Sequence, residues 1–154
     1  FADHITTAFP EVRLKGYIEM RGADSGSWGS ICALPALWVG LLYDEESLKA
    51  AEALVSGISA QQVEAARLSA ITDGLDGQFA GQPMLAVARE MVALSEASLA
   101  RRQIKDSKGR DETQYLDPLR EIVTTGKTNA DIMLEHYNGD WDQDVRHLFK
   151  LYHY

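Results

Sequence analysis

The chain has 154 residues, with 15 Lys plus Arg against 23 Asp plus Glu, a formal net charge of -8 and an isoelectric point near 4.9. So acidic a balance excludes the clustered excess of basic residues that nucleic acid or an anionic membrane surface demands, while 45% hydrophobic and 25% charged residues make an ordinary globular composition. A single cysteine, Cys32, excludes an internal disulfide and a cysteine-rich zinc site, and the setting it implies is reducing and cytoplasmic.

The chain opens Phe1-Ala2-Asp3-His4, without an initiator Met and without the basic and apolar regions of a signal peptide, as expected of a piece of a longer protein. His4 to Phe9 is compatible with a strand that stops at Pro10. From Val12 to Arg21 the residues alternate. Val12, Leu14, Ile18 and Met20 fall on one side, and Arg13, Lys15, Tyr17, Glu19 and Arg21 on the other. This predicts a strand whose apolar side packs on a core. A strand or two cannot stand alone in water, so the rest of the sheet is expected in sequence outside this chain.

Gly22 to Ser27 reads as a flexible loop, and everything after it as helical. Ser30 to Tyr43 is predicted to be a buried helix, with Pro35 tolerable only in about its first turn. Its apolar run, from Ile31 to Tyr43, falls short of the ~20 residues that span a membrane. Asp44 caps a helix to about Ser56, carrying Leu48, Ala51, Leu54 and Val55 at helical spacing. Ser59 to Gln62 is a capping box, and the helix it opens runs out in the glycine-rich stretch Asp73 to Gly81. Pro83 to about Arg102 forms a long helix with an apolar stripe of Leu85, Ala88, Met91, Val92 and Leu99, followed by a solvated charged loop from Lys105 to Glu112. Asp117-Pro118 starts a helix through Val123, Thr128 to Asp131 starts another ending near Asn138-Gly139, and Asp140 to Tyr154 closes the chain as a helix. The fold class is α+β.

Short motifs carry little. Thr125-Gly126-Lys127-Thr128 lacks the first glycine of a phosphate loop, Glu121 standing there, and reads as a glycine stop followed by a threonine cap. Asp73-Gly74-Leu75-Asp76-Gly77 lacks the glutamate of a calcium loop, Met84 occupying its place. The four histidines are scattered. The charged strand side is more informative and leaves two readings open. It is either a solvated outer face, where ion pairs contribute little, or the wall of a polar cleft, where a carboxylate holds a divalent cation and guanidinium groups hold phosphate or carboxylate.

The stretch His4 to Asp24, then Trp28, then Cys32-Ala-Leu-Pro-Ala-Leu-Trp-Val-Gly-Leu-Leu-Tyr-Asp44, resembles the C-terminal region of glutamate-cysteine ligases of the plant and proteobacterial type. Tyr115-Leu116-Asp117-Pro118 and Tyr137-Asn138-Gly139-Asp140-Trp141 extend the likeness toward Tyr154. The resemblance implies the C-terminal portion of a single larger catalytic domain of glutamine-synthetase-like fold, residues 1–24 giving strands and loop and 25–154 the helical region. It implies an ATP- and Mg²⁺-dependent reaction that joins the γ-carboxylate of glutamate to the amine of cysteine through a γ-glutamyl phosphate, with the N-terminal portion of the same protein as partner. On the family's Glu-x-Arg element it implies Glu19 as a Mg²⁺ ligand, Arg21 as a catalytic contact to the transferring phosphate, and Tyr17 beside Arg21 on the nucleotide. The departures are Ser25-Gly26-Ser27-Trp28-Gly29-Ser30, where many relatives carry Gly-Gly-Pro-Trp and basic residues, and Cys32, which has no partner in the chain and is expected as a small buried residue. A non-catalytic helical module, or a ligase with a different acceptor amine, are the alternatives.

Overall fold

The computed structural model describes residues 11–24 and 26–151. The strand expected over His4 to Phe9 and the end of the closing helix lie outside these residues. The architecture is mainly helical with a few short strands, consistent with the α+β expectation.

β1 (Val12–Leu14) and β2 (Ile18–Met20) pair antiparallel, with Val12 opposite Met20, Arg13 opposite Glu19 and Leu14 opposite Ile18. The single strand expected from Val12 to Arg21 is therefore a hairpin. It turns through Lys15-Gly16-Tyr17, where the Lys15 N–H donates to the Tyr17 carbonyl at 2.8 Å, and the Arg21 N–H donates to the Glu11 carbonyl at 2.7 Å beyond the named strands. The burial expected of its apolar side is also reversed. Val12, Leu14 and Ile18 are 53%, 80% and 59% exposed, because no other described element covers them.

α1 (Trp28–Leu42) is capped by Ser27, whose Oγ accepts from the Ser30 N–H at 3.3 Å. Pro35 is the eighth residue of this helix, well past the first turn to which the sequence reading confined it. Proline there removes one backbone hydrogen bond, but Ala33, Ala36, Gly40 and Leu41 of the same helix are buried, and packing overrides propensity. The partner is α4 (Met84–Arg102), whose inner side carries Val87, Val92, Ser95, Ser98 and Leu99. Two of these are serines that an apolar stripe does not predict. Ser95 Oγ donates to the Ala36 carbonyl at 3.3 Å, tying the two helices at their crossing.

α2 (Glu45–Val55) begins at Asp44, whose Oδ1 accepts from the Ser47 N–H at 2.9 Å. Arg101 of α4 donates to Asp44 Oδ1 at 2.5 Å and to Ser47 Oγ at 3.0 Å, and the fully buried Ser47 donates to the Leu94 carbonyl at 3.1 Å. The helix thus docks through its polar start, whereas Leu48 and Val55 of the expected stripe are exposed. α3 (Ala60–Asp73) opens on the expected capping box, with Ser59 and Gln62 bonded reciprocally, and buries only Ala66. After a 3-10 turn over Gly74–Asp76, β3 (Gln78–Phe79) and β4 (Gln82–Pro83) form a second small hairpin. Its two turn residues, Ala80 and Gly81, both have positive φ, at 50° and 86°, as a tight hairpin of this hand requires.

The charged loop after α4 is built rather than merely solvated. Asp106 accepts from the N–H groups of Lys108 and Arg110 at 2.8 and 3.0 Å and from Arg110 Nε at 2.9 Å. A 3-10 turn over Glu112–Leu116 runs directly into α5 (Asp117–Thr125), so Asp117 is the first helical residue instead of the cap. Arg120 joins this corner to α4, donating to Glu96 at 2.7 Å, to the Thr113 carbonyl at 3.1 Å and to Asp117. Ala36, Leu99 and Leu116 form the core, with Leu37, Val39 and Leu119 packed around them.

Gly126, at φ 70°, ends α5, and Thr128 with Asp131 makes the capping box of α6 (Asn129–Asn138), so Thr125 to Thr128 is a helix stop and start as read from the sequence. The long closing helix expected from Asp140 is not formed. Asp142 and Gln143 take φ of 46° and 61°, which no helix tolerates, and only α7 (Arg146–Leu151) follows. Trp141, 5% exposed, is stacked between His136 and His147 at ring-centre distances of 5.4 and 5.9 Å.

Candidate functional site

A hairpin places residues that face each other across its strands on the same side. Arg13 and Glu19 are such a pair, and Arg21 continues the same side next to Glu19. The turn residues Lys15 and Tyr17 stand at its tip, Tyr17 exposed. Of the five residues grouped by the alternation, Arg13, Glu19 and Arg21 therefore stay on one side after the correction from strand to hairpin, while Lys15 and Tyr17 move to the turn.

Within the group one contact dominates. Arg13 Nε and Nη2 both lie 2.7 Å from Glu19 Oε2, with the two side chains 31% and 30% exposed. The Arg13 hydrogen bond holds the Glu19 carboxyl below its usual value, against the opposing effect of partial desolvation, and the charges of Arg13, Lys15 and Arg21 add to the lowering. Arg13 pairs with the carboxylate directly and the charges of Lys15 and Arg21 also act on it, so the group carries a local positive excess inside a chain whose net charge is -8. Chemically such a set can hold phosphate or carboxylate groups, and its one carboxylate offers a hard anionic oxygen.

Sequence reasoning placed Arg13, like Lys15, on the charged side among groups for anionic substrate, and did not foresee its pairing with Glu19. Its partnership depends on the turn at Lys15 to Tyr17, and only a turn signal at Gly16 could have revealed it.

Next to the hairpin's exit, Ala23 and Asp24 border a cleft of about 890 Å³ whose other walls include Ile31, Ile71, Leu119 and Asp131. Trp28 is 75% exposed at the start of α1. Cys32 is half-buried, not fully buried as expected, and lines a separate apolar slot of about 290 Å³ with Pro35, Val39 and Tyr115. Among the described residues no group of three or more His, Cys, Asp or Glu side chains could hold a metal ion, and no helix is long and apolar enough to cross a membrane.

The sequence profile of Glutamate-cysteine ligase family 2 (GCS2) matches residues 1–150. The chain is 44% identical over 148 residues to a chloroplastic glutamate--cysteine ligase of Nicotiana tabacum, an overlap that covers 96% of this chain and 27% of the tobacco protein. It is 43% identical over 147 residues to the chloroplastic enzyme of Medicago truncatula, covering 96% of this chain and 28% of that protein. For the chloroplastic enzyme of Arabidopsis thaliana the figures are 43% over 148 residues, 96% and 27%. The chain thus spans little more than a quarter of the length of the relatives it matches. These relatives overturn the cytoplasmic setting expected from Cys32: each is named for the chloroplast, and a lone cysteine speaks to redox conditions rather than to a compartment. With its profile matched over nearly the whole sequence and identities above two-fifths, the chain belongs to glutamate-cysteine ligase family 2.

Proposed function

We propose that the chain is the C-terminal portion of the catalytic domain of an ATP-dependent ligase that joins the γ-carboxylate of glutamate to the amine of cysteine. The observation that carries this reading is the hairpin on which Arg13 pairs with Glu19 across the strands while the charges of Lys15 and Arg21 act on the same carboxylate, in a chain of this family. The reaction brings a triphosphate and a carboxylate together, and their negative charges must be balanced as the phosphoryl group moves to the γ-carboxylate. Arg21 contacts the transferring phosphate through its planar guanidinium, and Tyr17 at the hairpin tip lies against the nucleotide. The cysteine amine then attacks the γ-glutamyl phosphate and phosphate leaves.

Mg²⁺ supplies Lewis-acid neutralisation of the phosphate oxygens. Magnesium is commonly held by one or two carboxylates together with the substrate's own phosphates. The donor set fits that pattern: Glu19 offers a carboxylate with Oε1 outside its pair with Arg13, and its cationic neighbours favour a metal that arrives already bound to phosphate. The remaining walls of the site come from the N-terminal portion of the same protein, whose antiparallel sheet, in a glutamine-synthetase-like fold, takes up the open side of the hairpin.

The test is made in the full-length ligase. ADP release with glutamate, cysteine and Mg·ATP falls by about 10²-fold in Glu19→Gln and in Arg21→Lys, the scale of losing one preorganised charge contact in a transition state. Normal rates in both variants would remove the hairpin from the site. Calorimetric titration of the same protein with Mg·ATP and glutamate giving only heat of dilution would favour a non-catalytic helical module.

A further inference from the structure

We infer that Arg13 is a positioning residue which grips one oxygen of Glu19 and thereby fixes where the other oxygen is presented to the metal–nucleotide complex. The inference rests on the reading of Glu19 as a metal ligand, and it assigns a role to a residue that the family's Glu-x-Arg element does not contain.

The placement is set by the backbone. Arg13 and Glu19 stand directly opposite one another in the register of β1 and β2, so the pair is a consequence of the hairpin and not a chance meeting of two long side chains. Its geometry is also unlike that of an ion pair optimised for its own strength. Such pairs are commonly fork-to-fork, one N–H to each carboxylate oxygen. Here Nε donates to Oε2 at 2.7 Å and Nη2 lies 2.7 Å from the same oxygen, while no hydrogen bond among the described residues reaches Oε1. A carboxylate held by one oxygen retains its second for a ligand, with its rotation about the side-chain bonds fixed.

The surroundings point the same way. With about a third of each side chain exposed, the pair is neither buried enough to be a core ion pair nor free enough to be an incidental surface contact. Lys15 and Arg21 also act on Glu19, so the carboxylate sits in an excess of positive charge that an incoming polyphosphate relieves. Groups that orient metal ligands in this manner change metal affinity by about 10- to 100-fold when removed.

The experiment uses the full-length ligase and a readout without turnover, the affinity and electron paramagnetic resonance spectrum of Mn²⁺ bound together with a non-hydrolysable ATP analogue. Arg13→Ala is expected to weaken Mn²⁺ in that complex by about 10-fold or more and to alter its spectrum. Arg13→Lys, which keeps the charge and the fold but loses the two-nitrogen grip, recovers part of the loss. Adding Arg13→Ala to Glu19→Gln costs nothing further, because the two act as one unit. The exchanged pair, Arg13→Glu with Glu19→Arg, keeps the cross-strand attraction and still fails to bind. Three outcomes overturn the inference. If Glu19→Gln weakens Mn²⁺ while Arg13→Ala does not, the positioning role falls and the metal reading of Glu19 stands. If Glu19→Gln leaves Mn²⁺ binding unchanged, both fall. If the exchanged pair binds like the parent, the two residues only hold the hairpin together.

Discussion

Gly40 of α1 and Ser95 of α4 approach so closely that a β-carbon on Gly40 would lie 2.6 Å from the Ser95 carbonyl oxygen and 2.7 Å from its Cα. Both atoms belong to the backbone of a helix and cannot swing aside. Gly40→Ala must therefore push apart the two most extensively packed helices of the fold, and is expected to cost about 3 kcal/mol. Thermal unfolding checks it. Ser95→Ala, which removes the hydroxyl but not the backbone atoms, is expected to lose about 1 kcal/mol alone and to leave Gly40→Ala largely unrescued.

Asp44 makes stability depend on pH. Arg101, together with the Ser47 N–H, lowers its pKa from 3.8 to about 2. A carboxylate depressed in the folded state contributes stability that is fully present above 3.8 and is lost as pH falls from there toward about 2. Melting temperature measured down that range should drop for the parent protein and drop less steeply for Asp44→Asn, which begins from a lower value because Arg101 has lost its charged partner. Parallel curves for the two proteins would remove Asp44 from the acid response.

Leu99 and Leu116 are both fully buried and belong to the same core cluster. Leu99→Ala and Leu116→Ala are each expected to destabilise by about 2–5 kcal/mol, through lost burial and the cavity left behind. Since the two residues share the cluster, the double variant should differ measurably from the sum of the singles in denaturant unfolding.

Arg120 bonds to α4, to the 3-10 turn and to α5 at once. Arg120→Met keeps the stem of the side chain and removes the guanidinium. Amide hydrogen exchange is expected to quicken through Glu112–Leu116 and the first turn of α5 while the centre of α4 stays protected. Uniform protection across the chain would show that packing of Leu116 holds this corner without Arg120.

The helix starts were legible because their causes are local. Asp44, Ser59 with Gln62, and Thr128 with Asp131 each satisfy backbone donors within a few residues, so a short window of sequence contains the whole interaction. What was missed depends on distant partners. Pro35 sits inside a helix that packs on α4, and Ser95 is buried where Gly40 of α1 comes so close that only a small side chain fits. Ser47 reaches a carbonyl 47 positions away. The hairpin was concealed for a different reason. Its connection, Lys15-Gly16-Tyr17, has three residues, an odd number, so Leu14 and Ile18 keep the same parity on either side of the turn. A period-two pattern passes through such a turn unchanged, which explains how the side carrying Arg13, Glu19 and Arg21 could be grouped correctly within a strand that does not exist as drawn.

The back-to-back placement of the Leu14–Ile18 and Arg13–Glu19 pairs has a mechanical meaning. Leu14 and Ile18 are attached to the same short lengths of backbone as Arg13 and Glu19, on the opposite surface of a ribbon one residue thick. Whatever seats the first two aims the second two, as a key's bow turns its blade. Losing purchase at Leu14 would then misdirect the Arg13 guanidinium, with the hairpin itself intact.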